Sequence, residues 1–81
     1  MFYVYIIYSE NVKQKYIGQT ENLDRRMSEH NNGTLGRFTK NKGPWKLIHH
    51  EVFQTRSEAM AREKYLKSGV GRDWLKNNFN I

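Results

Sequence analysis

The chain opens on an almost unbroken run of β-branched and aromatic residues, Met1-Phe2-Tyr3-Val4-Tyr5-Ile6-Ile7-Tyr8, and this run limits the fold more than any other segment. Such side chains fit the pleated surface of a strand. They fall on both faces, so the strand must be covered on both sides or lie at the centre of a small sheet. Polar Ser9 to Lys13 reads as a turn, and Gln14 to Gly18 as a second strand that returns as a β-hairpin. If Tyr8 pairs with Lys13, Tyr5 lies opposite Tyr16 and the two rings stand side by side.

The remainder reads as helices around a third strand. Thr20 or Asn22 can cap a helix from Leu23 to Asn31, with Gly33 as terminator. Asn31 to Pro44, rich in Gly, Asn and Lys, reads as a basic loop, and Trp45 to Phe53 as the third strand. Thr55 or Ser57 caps a second helix over Glu58 to Ser68, with Gly69 beyond it, and a short last helix spans Arg72 to Asn78. The order β-β-α-β-α-α describes an α+β domain, and 81 residues leave room for one such domain, 1–81. The chain has no Cys, so neither a disulfide nor a thiolate metal site is open to it. Its apolar opening is too short for a membrane span and has no basic leader, so the expectation is a soluble, cytoplasmic protein with no membrane partner.

Fourteen Lys and Arg against eight Asp and Glu give a net charge of +6. A basic field on a small domain favours polyanions, although the same charge also serves solubility alone. More telling are the charged residues on apolar helix faces. Leu23 and Met27 mark the buried stripe of the first helix, and at 100° per residue Arg26 and His30 share it, while Arg25 points away. Ala59, Met60 and Leu66 mark the buried side of the second helix, and Glu63 lies among them. Arg26 can be a snorkelling side chain and His30 a half-buried, hydrogen-bonded imidazole. Glu63 must either pair with a cation, Arg26 being the obvious one, or bind a metal ion. Two tyrosines, an inward Arg, an inward His and an inward Glu together resemble a phosphoryl-transfer site. A carboxylate with water suits Mg²⁺ or Mn²⁺, and Arg grips phosphate oxygens. A Tyr hydroxyl, with a reference pKa of about 10, needs nearby positive charge to act as a base.

These residues, in this order and spacing, resemble the GIY-YIG nuclease family, including the nuclease domain of excision-repair incision proteins. The first tripeptide is degenerate, Val4-Tyr5-Ile6, and the second intact, Tyr16-Ile17-Gly18, the tyrosines being eleven apart. Asn22-Leu23-x-x-Arg26-x-x-x-His30 looks like the family's arginine helix, and Pro44-Trp45-Lys46-Leu47 like the start of its third strand. Glu58-Ala59-x-x-x-x-Glu63-Lys64-x-x-Lys67 looks like its glutamate helix, so the likeness runs from Phe2 to about Lys67.

The resemblance implies a three-stranded antiparallel sheet packed between helices. It implies Glu63 as the sole protein ligand of one divalent cation, Mg²⁺ or Mn²⁺, and Arg26 as the holder of the scissile phosphate. Tyr16 would be the general base, Tyr5 would position water or phosphate, and His30 would orient these groups. Gly18 would let the backbone pass close to the site. Where some relatives carry a lysine three residues after the second tyrosine, this chain has Gln19, and the family's late Asn finds only a loose match in Asn77 or Asn78. Without an added DNA-binding domain, selectivity would be low or supplied by a repair-protein partner. Arg37, Lys40, Lys42 and Lys46 would contact nucleic-acid phosphates, or else keep a solvated loop soluble. Trp45 and Trp74 read as packing residues. The function expected is a metal-dependent endonuclease acting on nucleic acid, DNA first, in repair or recombination. A binding module of the same fold without turnover, or a domain tied together by an Arg26–Glu63 pair, are the alternatives.

Overall fold

The computed structural model describes residues 1–33 and 39–81. Three strands, β1 (Phe2–Ser9), β2 (Gln14–Thr20) and β3 (Lys46–Phe53), form one antiparallel sheet in the order β2-β1-β3. The helices are α1 (Leu23–Asn32), α2 (Arg56–Lys67) and α3 (Gly69–Phe79). The opening run therefore lies at the sheet's centre, and both its faces are covered. Val4 and Ile6 join Ile17 under Ala59 and Leu66 of α2 and Leu75 of α3, whereas Tyr5 and Ile7 join Trp45, Tyr16 and the α1 residues Leu23 and Met27.

The hairpin register differs from the expectation by two residues. Tyr5 pairs with Gly18 and Tyr16 with Ile7, because Ser9 pairs with Gln14. Lys13 takes a left-handed conformation, φ 56°, which belongs to a turn, and buried Ser9 donates its hydroxyl to the Lys42 carbonyl, which fixes it in the strand. The turn is thus displaced along the chain by one residue. A shift of two preserves the face of every side chain, so Tyr5 and Tyr16 remain on one side as diagonal neighbours, 6.3 Å between ring centroids.

Local chemistry sets the helix ends. Asn22 accepts from the Arg25 amide, and Gly33 closes α1 in the left-handed region. Thr55 and Glu58 form a reciprocal capping box on α2. The last helix is longer than the sequence suggests and starts at Gly69, because Ser68 both ends α2 and caps α3, its hydroxyl accepting from the Gly71 amide. This tight corner needs glycine at 71, where a Cβ would strike the Tyr65 carbonyl and the Leu66 backbone. Met60, expected to be buried, is 53% exposed. It stands 100° round the helix from Ala59, at the flank of the stripe that Ala59 and Leu66 define.

On the α2–α3 side, Arg62 donates to Glu51 through Nε (2.8 Å) and Nη2 (3.0 Å), and His49 meets the same carboxylate at 2.9 Å. The Arg62 guanidinium also lies over Trp74. Burial raises the Glu51 pKa, but the bonds to Arg62 and His49 outweigh it, and the carboxyl ionises below its usual range. This network locks β3 to both helices on the face away from the tyrosines.

Candidate active site

The sheet presents Tyr5 and Tyr16 to α1, and the inward stripe of α1 brings His30 between them. The Tyr5 hydroxyl lies 2.8 Å from His30 Nε2, and the Tyr16 ring meets the His30 ring edge-on at 5.0 Å. His30 Nδ1 bonds at 3.0 Å to the hydroxyl of Thr39, whose carbonyl accepts from the Trp45 indole. Asn31, next along α1, accepts from the Trp45 amide (2.6 Å) and donates to its carbonyl (3.3 Å). The far end of the loop is thereby clamped to α1, and the imidazole is held at both nitrogens. Gly18 is the reason the tyrosines can sit so close to β2, for a Cβ there would lie 2.6 Å from the Tyr5 oxygen and 3.1 Å from the Tyr16 ring.

Tyr5 and His30 are sealed from solvent, at 0% and 2% exposure. Burial raises the Tyr5 pKa, and negative charge at Tyr16 and Glu63 adds to this, while the adjacent Arg26 guanidinium opposes it. The phenol therefore stays protonated. Burial also lowers the His30 pKa, as does the charge of Arg26, with Glu29 opposing. A neutral imidazole between a phenol and a threonine hydroxyl can accept from one and donate to the other.

A pH dependence follows. The native state resists protonating His30, whereas the unfolded chain takes up that proton below about pH 6.5. The unfolded state then binds more protons, so stability falls as the pH drops below that value, until the depressed folded-state pKa is reached. Thermal denaturation from pH 8 to pH 5 should show this decline, and His30→Gln should flatten it. An equal slope in the variant would assign the effect to other groups.

Arg26 and Glu63 do not pair with each other. Arg26 Nε lies 3.4 Å from Glu29 one turn along, but not aligned for a hydrogen bond, and this buried N–H has no hydrogen-bond acceptor among the described residues. Glu63 is held by Lys67, Nζ to Oε2 2.7 Å, with its side chain 20% exposed. The charges of Arg26 and Glu63 both act on Tyr5, so these residues cluster electrostatically. The sequence reading places all five around one hollow; among the described residues, Tyr16 and Glu63 border different depressions. Tyr5 and His30 form a closed back wall. Tyr16 borders one depression of about 370 Å³ with Lys15, Lys67 and Arg72, and Glu63 borders another of about 400 Å³ with Gln19, Lys64 and Lys67. Gln19, which borders the second, carries a further orphan, because its buried Oε1 has no donor among the described residues. Among the described residues no three His, Cys, Asp or Glu side chains gather as a metal site.

The described basic residues of the loop and of β3, Lys40, Lys42 and Lys46, stand apart from this cluster. Lys46 pairs with Tyr8 at the far end of β1, and the Lys42 ammonium donates to Gln14. Lys40 is exposed, and Arg37 lies outside the described residues. Asn78 donates to the Trp74 carbonyl within α3, and Asn77 is exposed on the same helix. Trp45 is buried, as expected of a packing residue. Thr39 and Asn31 were not foreseen as site residues, and Lys67 is named in the sequence only within the glutamate-helix pattern. Only Lys67 carried a signal, its i,i+4 spacing from Glu63. No helix among the described residues is long and apolar enough to cross a membrane.

The chain is similar to known proteins in sequence and in fold. A family model described as the GIY-YIG catalytic domain matches residues 1–78. A UPF0213 protein of Clostridium perfringens is 42% identical over 67 residues, 83% of this chain and 71% of that protein. One from Haloquadratum walsbyi is 41% identical over 66 residues, 82% of this chain and 73% of that protein. The solution NMR structure of a UPF0213 protein from Bacillus halodurans is similar at a TM-score of 0.56 and 31% identity, covering 95% of this chain and 84% of that one. The chain belongs to the GIY-YIG nuclease family.

Proposed function

We propose that this protein is a divalent-metal-dependent endonuclease that hydrolyses phosphodiester bonds in nucleic acid, with DNA of branched or damaged structure as the favoured substrate in repair or recombination. The observation that carries the reading is the buried Nε–H of Arg26, which has no hydrogen-bond acceptor among the described residues, beside the Tyr5–His30 pair. An orphaned buried donor costs about 1–3 kcal/mol, a penalty that a phosphate oxygen removes.

The divalent cation that the family uses fits the donors present. Glu63 offers one partly exposed carboxylate, and Gln19 an orphaned carbonyl oxygen in the same hollow. Few oxygen donors, of which the Glu63 carboxylate reaches water, suit Mg²⁺ or Mn²⁺, which keep most of their own waters. Bound there, the ion supplies Lewis acidity at the phosphate and lowers the pKa of water.

The protein's residues do the rest. Arg26 holds the scissile phosphate and offsets the charge that builds on it. The oxygen of water bonds to phosphorus as the ester bond to the leaving oxygen breaks. Tyr16, the member of the pair that reaches solvent, takes the water proton as its own phenolic proton passes to solvent. Tyr5 stays protonated and, with His30, fixes the phenol–imidazole wall against which Tyr16 stands. With so few base-reading groups at the site, selectivity comes from the substrate's shape or from a repair-protein partner.

The test is cleavage of labelled single-stranded, duplex and branched DNA and RNA, with Mn²⁺, Mg²⁺ or EDTA. Products that appear with the metals and vanish with EDTA are expected, most abundant from branched DNA. Binding without cleavage under all metal conditions would instead make the protein a binding module.

A further inference from the structure

Lys67 stands between the two halves of the site. Its ammonium lies 2.7 Å from the Glu63 carboxylate, and its side chain borders both the Glu63 hollow and the Tyr16 hollow. It is half exposed, so its long stem is free to move. Lys15, whose ammonium donates to the Ile81 carbonyl, and Arg72 line the Tyr16 hollow as well, so basic side chains rim a mainly apolar depression beside a phenol.

We propose that Lys67 exchanges partners during the reaction. In the metal-free protein it neutralises Glu63. When a divalent cation takes the carboxylate, like charge drives the ammonium away, and the nearest place for it is the Tyr16 hollow, where a substrate phosphate waits. Metal binding and substrate binding are thereby coupled through one side chain, with each strengthening the other. An ordinary i,i+4 helix pair does not couple the two ligands, so the proposal differs from that reading in a measurable way. It rests on the nuclease reading above and adds a positioning residue to it.

The experiment compares wild type, Lys67→Met and Lys67→Arg. Mn²⁺ affinity is measured by electron paramagnetic resonance. Binding of a short fluorescein-labelled DNA duplex is measured by anisotropy with and without Ca²⁺, another hard oxygen-seeking ion. Lys67→Met should bind Mn²⁺ about two- to five-fold more tightly, since a competing ion is gone. Ca²⁺ should raise the DNA affinity of wild type and of Lys67→Arg several-fold, but leave that of Lys67→Met unchanged. An equal gain in all three proteins, or unaltered Mn²⁺ affinity in Lys67→Met, overturns the exchange and leaves the nuclease reading intact. A Glu63→Gln protein serves as control, and Mn²⁺ binding that persists in it overturns both. Unfolding is not expected to intervene, because Lys67 is at the surface, and the melting temperature of each variant checks this.

Discussion

Glu63→Gln is expected to reduce metal-dependent cleavage by at least about 10³-fold while the protein stays folded. The substitution keeps the size of the side chain and removes its charge. The structural loss is one helix pair with Lys67, half exposed on the lysine side, and such pairs contribute about 0.3–0.5 kcal/mol. Ala59 and Leu66, which seat α2 on the sheet, are untouched. The chemical loss is much larger, because Glu63 is the charged oxygen donor in its hollow and an amide binds Mg²⁺ or Mn²⁺ weakly. Two measurements separate these effects. Circular dichroism melting should move by no more than a few degrees, and the Mn²⁺ signal in electron paramagnetic resonance should lose its protein-bound fraction. A variant that cuts as fast as wild type at the same Mn²⁺ concentration would remove Glu63 from the reaction.

How much of this could be read beforehand depends on the kind of order involved. The central strand was legible because eight apolar, mostly β-branched or aromatic residues leave few alternatives, and its two covered faces follow from its pattern. The inward turn of Arg26 and His30 was legible because helix geometry places them with Leu23 and Met27, and the structure keeps Arg25 exposed. The hairpin register was not, since a slip of two residues leaves the hydrophobic pattern unchanged, and only the left-handed Lys13 and the buried Ser9 decide it. Thr39 was invisible because an irregular loop has no period from which to infer direction, and its hydroxyl reaches His30 only after the loop is clamped by Asn31 and Trp45. The division into two hollows also escaped the sequence. Periodicity shows which residues face inward, but not that Lys67 borders both the Tyr16 and the Glu63 depressions.

Arg26→Met should also abolish most cleavage, by about 10²–10³-fold, but with a different signature. Methionine covers the same apolar surface as the arginine stem and has no buried N–H to leave orphaned. Stability should therefore hold or rise slightly, despite the loss of the Glu29 contact. Mn²⁺ binding should survive, because Glu63 is held by Lys67 and not by Arg26. The electrostatics of the back wall should change in a definite direction. The Arg26 charge helps keep His30 unprotonated, so without it the imidazole titrates at a higher pH, though still below its ordinary value because burial is the larger cause. The same charge favours ionised Tyr5, so the phenol should become still harder to ionise. An NMR titration of the His30 ring in both proteins reads the first of these shifts without any nucleic acid present. Loss of cleavage together with an upward shift at His30 and intact Mn²⁺ binding would place Arg26 at the phosphate. Loss of cleavage with loss of Mn²⁺ binding would instead mean that the guanidinium organises the metal side of the site, and the division of labour between Arg26 and Glu63 would have to be redrawn.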